Sequence, residues 1–302
     1  MSPQQKQKAW KVLEILNWSA EHLREKGLEN PRLTAELLVG YALQLNRIDL
    51  YLQFDRSLTP DEIARYKQAL QRRLRHVPVQ YILGRTEFYS LSFVVNESVF
   101  IPRPETEVLV ETALKRLAGL EGDLLAADIG TGCGAVAIAL AHQLPKATVY
   151  GTDCCARALE VAKGNALSHG LAERVVLLKG DLLAPLEGVV NADGAPLRFD
   201  AIVSNPPYVR TDDIRALPDE VRRYEPQVAL DGGPDGLDFH RRLAEEAPAF
   251  LRTGGLLFLE VGDGQGQAVA ECLEQSRCFG EVQRVRDLSG TERVVIAEKA
   301  DA

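Results

Sequence analysis

The chain has 302 residues, 46% of them hydrophobic and 26% charged, which is the make-up of an ordinary water-soluble globular protein with room for roughly two domains. A net charge of −8 argues against a protein whose main work is non-specific grip on nucleic acid, without excluding a local basic patch. Five cysteines, with Cys154 and Cys155 adjacent and no Cys-x-x-Cys, give neither a disulfide framework nor a zinc spacing, and no run of about 18 apolar residues marks a membrane span, so the reading is a cytoplasmic protein without metal or membrane partner.

Residues up to about 80 carry helical periodicity. Trp10, Leu13, Leu16 and Ala20 form one apolar stripe. Asn30-Pro31 supplies a cap and a first-turn proline ahead of Leu33, Leu37, Leu38 and Tyr41. Thr59-Pro60-Asp61-Glu62 is a capping box opening a third helix through Ile63, Tyr66, Leu70 and Leu74. A small helical bundle over 1–80 follows, and the basic run Arg72, Arg73, Arg75 and His76 reads as a solvated helix face. Between Pro78 and Ile101 the loose alternation of Phe88, Leu91, Phe93, Val95 and Val99 predicts a hairpin or extended linker, assigned to 81–104. Pro102-Arg103-Pro104-Glu105-Thr106-Glu107 then leads into a helix carrying Val108, Leu109, Ala113 and Leu117.

From 105 to the end, strands and helices alternate. Strands are expected at Leu124–Ile129, Ala147–Gly151, Val175–Leu178, Phe199–Ser204 and Leu256–Val261, with helices at Ala135–His142 and Ala156–His169. Residues 184–198, rich in Gly, Pro, Asn and Asp, read as a loop, and Val282–Arg286 with Arg293–Ala297 as an antiparallel hairpin. This order implies a doubly wound α/β sheet, in which ligands bind at strand carboxyl ends.

Those ends carry the chemistry. Asp128-Ile129-Gly130-Thr131-Gly132-Cys133-Gly134 lies between the first strand and its helix, where glycines admit a ligand close to the backbone and leave helix-start N–H groups free. With Ala135 it satisfies the loose Gly-x-Gly-x-x-Ala nicotinamide fingerprint, so alone it indicates a nucleoside cofactor without saying which. Asp153 ends the second strand about 20 residues later, placed to accept ribose hydroxyls. Asp181 ends the third, placed to accept from an adenine amine while Leu182 packs on the ring. After the fourth comes Ser204-Asn205-Pro206-Pro207-Tyr208. Two prolines remove two backbone donors and stiffen the corner, leaving carbonyls, the Asn205 carboxamide and an aromatic plate. Acceptors without competing donors suit a planar group bearing NH2, an amide or a base amine.

The ordering of Gly-x-Gly, Asp153, Asp181 and Asn-Pro-Pro-Tyr resembles class I methyltransferases, a Rossmann-like fold using S-adenosylmethionine and releasing S-adenosylhomocysteine. With Pro78-Val79-Gln80-Tyr81-Ile82-Leu83-Gly84, the Pro-Arg-Pro-Glu-Thr-Glu segment, Tyr224-Glu225-Pro226, Asp231-Gly232-Gly233-Pro234-Asp235-Gly236-Leu237 and Arg286-Asp287-Leu288, the chain resembles the PrmC/HemK family over nearly its whole length. Cys133 and the Cys154-Cys155 pair stand where small hydroxyl residues are expected, and Phe100 where an aliphatic residue is commoner.

The resemblance implies methylation of the glutamine side-chain nitrogen in the Gly-Gly-Gln motif of class I peptide chain release factors, gripped by the helical domain. It implies Asn205, Pro206 and Tyr208 as catalytic residues. Pro207, Phe100, Arg103 and Glu105 complete the substrate site, and Asp128, Gly130, Thr131, Gly132, Cys133, Gly134, Asp153, Cys154, Asp181, Leu182 and Asn205 the cofactor site. The competing readings are a nucleic-acid adenine N6-methyltransferase, which shares the acceptor corner but needs a basic groove or target-reading domain, and a non-catalytic cofactor-binding or assembly protein.

Overall fold

The computed structural model describes residues 10–120, 122–191 and 193–301, and the chain divides into two units, one of Met1–Gly84 with Asp219–Tyr224, the other of Arg85–Pro218 with Glu225–Ala302. The first nine residues, which the sequence reading includes in the helical domain, lie outside the described ones.

The first unit is helical: α1 (Val12–Glu25), α2 (Pro31–Leu43), α3 (Arg47–Leu52), α4 (Pro60–Leu74) and α5 (Val79–Leu83). The capping box forms as its spacing dictates, Glu62 N–H donating to Thr59 Oγ1 at 3.3 Å and Thr59 N–H to Glu62 Oε2 at 2.8 Å. Asn30 behaves differently: it adopts a left-handed conformation, φ 47°, and its side chain caps nothing, although Pro31 does open α2. The buried face of α2 runs through Ala35, Leu38, Val39, Ala42 and Leu43, so Leu33 and Tyr41 are exposed, as is Leu13 on α1. A stripe three or four residues apart fits more than one helix face, and only packing chooses among them. The basic run is also corrected at one position. Arg73 is buried, donating to the Val77 carbonyl at 3.0 Å and pairing with Glu220 at 2.6 Å from the short helix Asp219–Tyr224, while Arg72 and Arg75 are exposed. α5 occupies the start of a stretch that the alternation assigned to extended chain.

The second unit opens with a hairpin, β1 (Arg85–Phe88) and β2 (Leu91–Val94), turned by Tyr89 and Ser90, both at positive φ. Then follow α6 (Thr106–Leu117), β3 (Leu124–Ile129), α7 (Ala135–Gln143), β4 (Ala147–Asp153), α8 (Ala156–Ser168), β5 (Val175–Lys179) and β6 (Phe199–Ser204). The helix Asp219–Tyr224 is α9; after it come α10 (Asp238–Glu246), β7 (Leu251–Glu260), α11 (Gly266–Ser276), β8 (Phe279–Arg286) and β9 (Glu292–Lys299). The seven-stranded sheet has the order β5-β4-β3-β6-β7-β9-β8. Its strands from β5 to β7 are parallel, and the β8–β9 hairpin adds an antiparallel edge, the Rossmann-like arrangement expected.

β3 and β6 consist almost wholly of buried residues, as central parallel strands must, and Ser204 Oγ ties their carboxyl ends together by donating to the Ile129 carbonyl at 2.7 Å. Strand order reverses at this pair, so a crevice opens there. β7 begins five residues earlier than its apolar run suggests, because Arg252 to Gly255 carry the strand through an irregularity in its register with β6. Among its described residues, the expected loop 184–198 contains one 3-10 turn, at Ala184–Leu186.

Candidate active site

The crevice at the carboxyl ends of β3, β4, β5 and β6 is a cavity within the second unit. On one side it is lined by the glycine loop after β3. Gly130, Gly132 and Gly134 have φ of 77°, 56° and 82°, conformations that side-chain-bearing residues rarely adopt. At Gly130 and Gly132 the space where a Cβ would sit is open, so the bare backbone faces the cavity. Gly134 lies outside the lining; it caps α7, and a Cβ there would press on Ala162.

Asp128 lines the cavity but points its carboxylate into the loop itself, accepting from Thr131 Oγ1 at 2.6 Å and Ala137 N–H at 3.0 Å. Burial raises its pKa to about 6 against the pull of those two donors. The expectation of free loop N–H groups is corrected for most of them. Gly130 and Thr131 both donate to the Thr152 carbonyl at 2.9 Å, Gly134 to Thr131, and Gly132 to Asp153. The loop is therefore self-braced and offers shape more than positive charge. Cys133 is buried but lines the cavity, and burial pushes its thiol up to about 12, so it meets a ligand as a protonated, unreactive wall.

Asp153 sits at the tip of β4, lining the cavity. Its Oδ2 accepts from Gly132 N–H at 2.9 Å and its Oδ1 from Cys155 N–H at 2.8 Å. Each carboxylate oxygen keeps a lone pair for a ligand hydroxyl. Cys154 is exposed at the rim; burial is the leading cause that raises its thiol. Leu182, with φ 43°, turns its side chain to the cavity while its carbonyl accepts from Thr152 Oγ1. Asp181 also lines the cavity, yet its Oδ2 already accepts from Arg242 Nη2 at 2.8 Å in a well-exposed ion pair. An open shelf, a strand-end acid and an apolar wall fit a nucleoside with a ribose diol and a flat base. Among the described residues no cluster of three or more His, Cys, Asp or Glu is arranged to hold a metal ion.

The other side is the corner after β6. Asn205, Pro206, Pro207 and Tyr208 all line the cavity, as does Phe100. Asn205 donates from Nδ2 to Thr106 Oγ1 at 3.0 Å, which leaves Oδ1 without a protein partner among the described residues. The backbone beyond is clamped. Val209 and Leu230 to Gly232 exchange hydrogen bonds of 2.9 and 2.8 Å, and Gln265 Nε2 donates to the Tyr208 carbonyl at 3.0 Å. Gly232 approaches so closely that a Cβ would lie 2.8 Å from the Pro207 oxygen and 2.8 Å from Tyr208 Cα. Burial raises the Tyr208 phenol far above its usual range, so it stays protonated.

Arg103 and Glu105 do not line the cavity. Arg103 lies over the Phe100 ring at 4.7 Å and pairs with buried Glu225, whose other oxygen accepts from Ile101 N–H at 3.3 Å. It thus braces the wall that Phe100 and Pro102 present. Glu105 is exposed ahead of α6. Sequence reasoning missed Thr106, Gln265 and Glu260. Glu260 ends the apolar run Leu256-Leu257-Phe258-Leu259, the same strand-end signal that marks Asp153 and Asp181. It is 2% exposed, and burial raises its pKa to about 7 although the hydroxyls of Thr106 and Tyr208 and the charge of Arg293 favour its anion.

A Rossmann-like sheet of this order, closed by an antiparallel hairpin and carrying this cavity at its switch point, defines a class I methyltransferase, with S-adenosylmethionine as methyl donor. The N-terminal domain model of PrmC matches residues 14–84 and the methyltransferase small domain residues 104–217. A release factor glutamine methyltransferase of Geobacter sulfurreducens is 45% identical over 96% of this chain and 98% of its own length. Its counterpart from Moorella thermoacetica is 45% identical over 95% of this chain and 98% of its own. Among solved structures, the N-terminal domain of human METTL16 in complex with SAH has a TM-score of 0.52 at 15% identity, covering 83% of this chain and 87% of that one, which speaks for the fold alone. The chain belongs to the release factor glutamine methyltransferase family.

Proposed function

We propose that this site methylates the side-chain amide nitrogen of the glutamine in the Gly-Gly-Gln motif of class I peptide chain release factors. When bound, S-adenosylmethionine supplies an electrophilic methyl group. The residues that would hold it are the glycine loop, Asp153 for the ribose, and Asp181 with Leu182 for the base. The observation that carries the reading is the Asn205 carboxamide, its NH2 tied to Thr106 and its oxygen left for the cavity.

An amide nitrogen is a poor nucleophile because its lone pair is delocalised into the carbonyl. The site therefore has to orient the nitrogen. Asn205 Oδ1 and the Pro206 carbonyl accept its two hydrogens and aim the nitrogen at the methyl, while Tyr208 and Phe100 wall the amide plane. Alignment of this kind supplies roughly 7–11 kcal/mol of a barrier, so a general base held beside the nitrogen is not required during the transfer. The methylated nitrogen, cationic once its new bond forms, sheds one of its two protons to solvent and returns to a neutral amide. The protonated phenol of Tyr208 suits a wall and does not suit a base.

Partner grip is assigned to the helical unit, which exposes Trp18, Ile48, Leu52 and Phe54, and the reaction to the cytoplasm, where its substrate acts. No helix among the described residues is long and apolar enough to cross a membrane. The test offers labelled S-adenosylmethionine to a release factor, to the same factor with the Gly-Gly-Gln glutamine replaced, and to DNA. Label in the first alone is the expected result; label in DNA favours the adenine-directed reading, and label in both release factors overturns the glutamine assignment.

A further inference from the structure

We propose that Glu225 is a positioning residue that sets the width of the slot receiving the substrate's side-chain amide. The inference rests on the reading of the Asn205 corner as the amide site and adds what determines how that amide is admitted. Two stretches far apart in the chain line the cavity together with the corner. One is 98–102, which presents Phe100 and Pro102; the other is a strap over 226–230, which presents Pro226, Val228, Ala229 and Leu230. The strap is turned on itself, Ala229 N–H donating to the Pro226 carbonyl at 2.9 Å and Leu230 N–H to the Gln227 carbonyl at 3.0 Å. Backbone fixes its far end. Val209 N–H donates to the Leu230 carbonyl at 2.9 Å, Gly232 N–H to the Val209 carbonyl at 2.8 Å, and Thr211 N–H to the Gly233 carbonyl at 2.9 Å. That end is therefore tied to the chain that carries the Asn205–Tyr208 corner.

The near end is held through a side chain. Glu225 directly precedes Pro226, and its side chain is 1% exposed. Its Oε1 accepts from Arg103 Nη2 and its Oε2 from Ile101 N–H at 3.3 Å, so one carboxylate grips both sides of Pro102. Arg103 in turn lies 4.7 Å over the Phe100 ring. Pro102, Pro104 and Pro226 have no N–H to offer a backbone ladder, so a side chain has to make this join. A buried carboxylate with two donors resists opening, because losing a donor leaves a charge in the interior without its partner. The gap between the Phe100 wall and the strap is thereby fixed before a substrate arrives. A slot of fixed width stops the substrate's backbone at its mouth, so side-chain length determines whether the amide nitrogen reaches Asn205 Oδ1. Glu225 acts through Arg103 and the strap.

The experiment measures methylation rates of the full-length enzyme on a release factor carrying Gly-Gly-Gln and on the same factor carrying Gly-Gly-Asn, one methylene shorter. Three variants are compared with wild type. Glu225→Gln keeps an acceptor for Ile101 N–H and gives up the charge. Arg103→Lys keeps the charge and gives up the plane over Phe100. The double variant Arg103→Met with Glu225→Met removes both charges together and leaves neither buried alone, so it serves where Glu225→Gln fails to fold. Thermal melts and calorimetric cofactor affinity check folding, and cofactor affinity should be unchanged. Wild type should prefer glutamine about 10–200-fold, the range one methylene commands in a shaped pocket. That preference should fall about tenfold in Glu225→Gln and in the double variant, and about threefold in Arg103→Lys. A merely structural role lowers both rates alike and leaves the ratio unmoved. If the folded double variant keeps the wild-type ratio, the clasp is wrong and the reading of the site stands. If wild type leaves the Gly-Gly-Gln factor unmethylated, the reading beneath the clasp fails.

Discussion

The two walls of the cavity are built on opposite principles. On the cofactor side most of the strong polar groups already have partners in their own neighbourhood: Asp128 in Thr131 and Ala137, Asp153 in Gly132 and Cys155, the amides of Gly130 and Thr131 in the Thr152 carbonyl. On the substrate side the Asn205 side chain has, among the described residues, a single hydrogen-bond partner, drawn from a segment 99 residues away, and its acceptor oxygen is left open. A pre-satisfied wall suits a ligand that brings many contacts and must leave again after each turnover. An under-satisfied corner suits one small group whose direction matters more than its affinity, since the unpaired acceptor is fully used only by the correct donor.

The sharpest way to break this contrast is Asn205→Ala. Turnover should fall by about 10³ or more while cofactor affinity stays within about threefold, because orientation is lost and binding is not. Single-turnover rates beside calorimetry check both halves, and a matched loss in the two would mean that the walls are not separable.

Asp153→Ala should show the mirror image, weakening the cofactor by about 2–3 kcal/mol with kcat at saturating cofactor little changed. Wild-type affinity in calorimetry would count against the ribose assignment.

Glu260→Gln sharpens the comparison through pH. The folded-state pKa of Glu260 is raised to about 7 from 4.5, so the folded protein holds this proton more tightly than the unfolded chain. Its favourable contribution is complete below about pH 4.5 and is lost as pH rises through 7, by up to roughly 3 kcal/mol. Denaturant unfolding at pH 5 and pH 8 should show the variant gaining on wild type at the higher pH. A constant difference would mean that Glu260 is not forced to ionise in a buried site.

The smallest effect expected is that of Gly232→Ala, which pushes a Cβ against the Pro207 oxygen and Tyr208 Cα. Its cost in stability should be roughly 1–3 kcal/mol, read by urea unfolding, with turnover falling more than cofactor affinity.

Most of the sheet was legible because buried parallel strands read as apolar runs and end in the residues that carry chemistry, as at Ile129, Asp153 and Ser204. β7 was half legible, since Arg252, Thr253, Gly254 and Gly255 interrupt its pattern where the register shifts. On α2 the periodicity was right and the face only partly so: Leu38 is buried, but Leu33 and Tyr41 are exposed. Arg103 and Glu105 were noticed as polar residues in a marked segment, but charge in sequence does not say whether a side chain lines a cavity or braces its wall.

What the sequence by itself determined was the order of parts: a helical first unit, a switch-point sheet, a glycine loop, an acid at the tips of β4 and β5, and a donor-poor corner after β6. These follow from local rules, namely periodicity, glycine freedom and missing proline N–H groups. Only the tertiary structure decided which way the polar groups face. Asp128 turns inward, Asp181 is held by Arg242, and Asn205 meets Thr106 beside Glu260. The reason is physical: the partners of Asp181 and Asn205 lie 61 and 99 residues away, and no local pattern encodes a neighbour that the chain reaches only by folding, while Asp128 turns to partners three and nine residues on once the loop has closed over it.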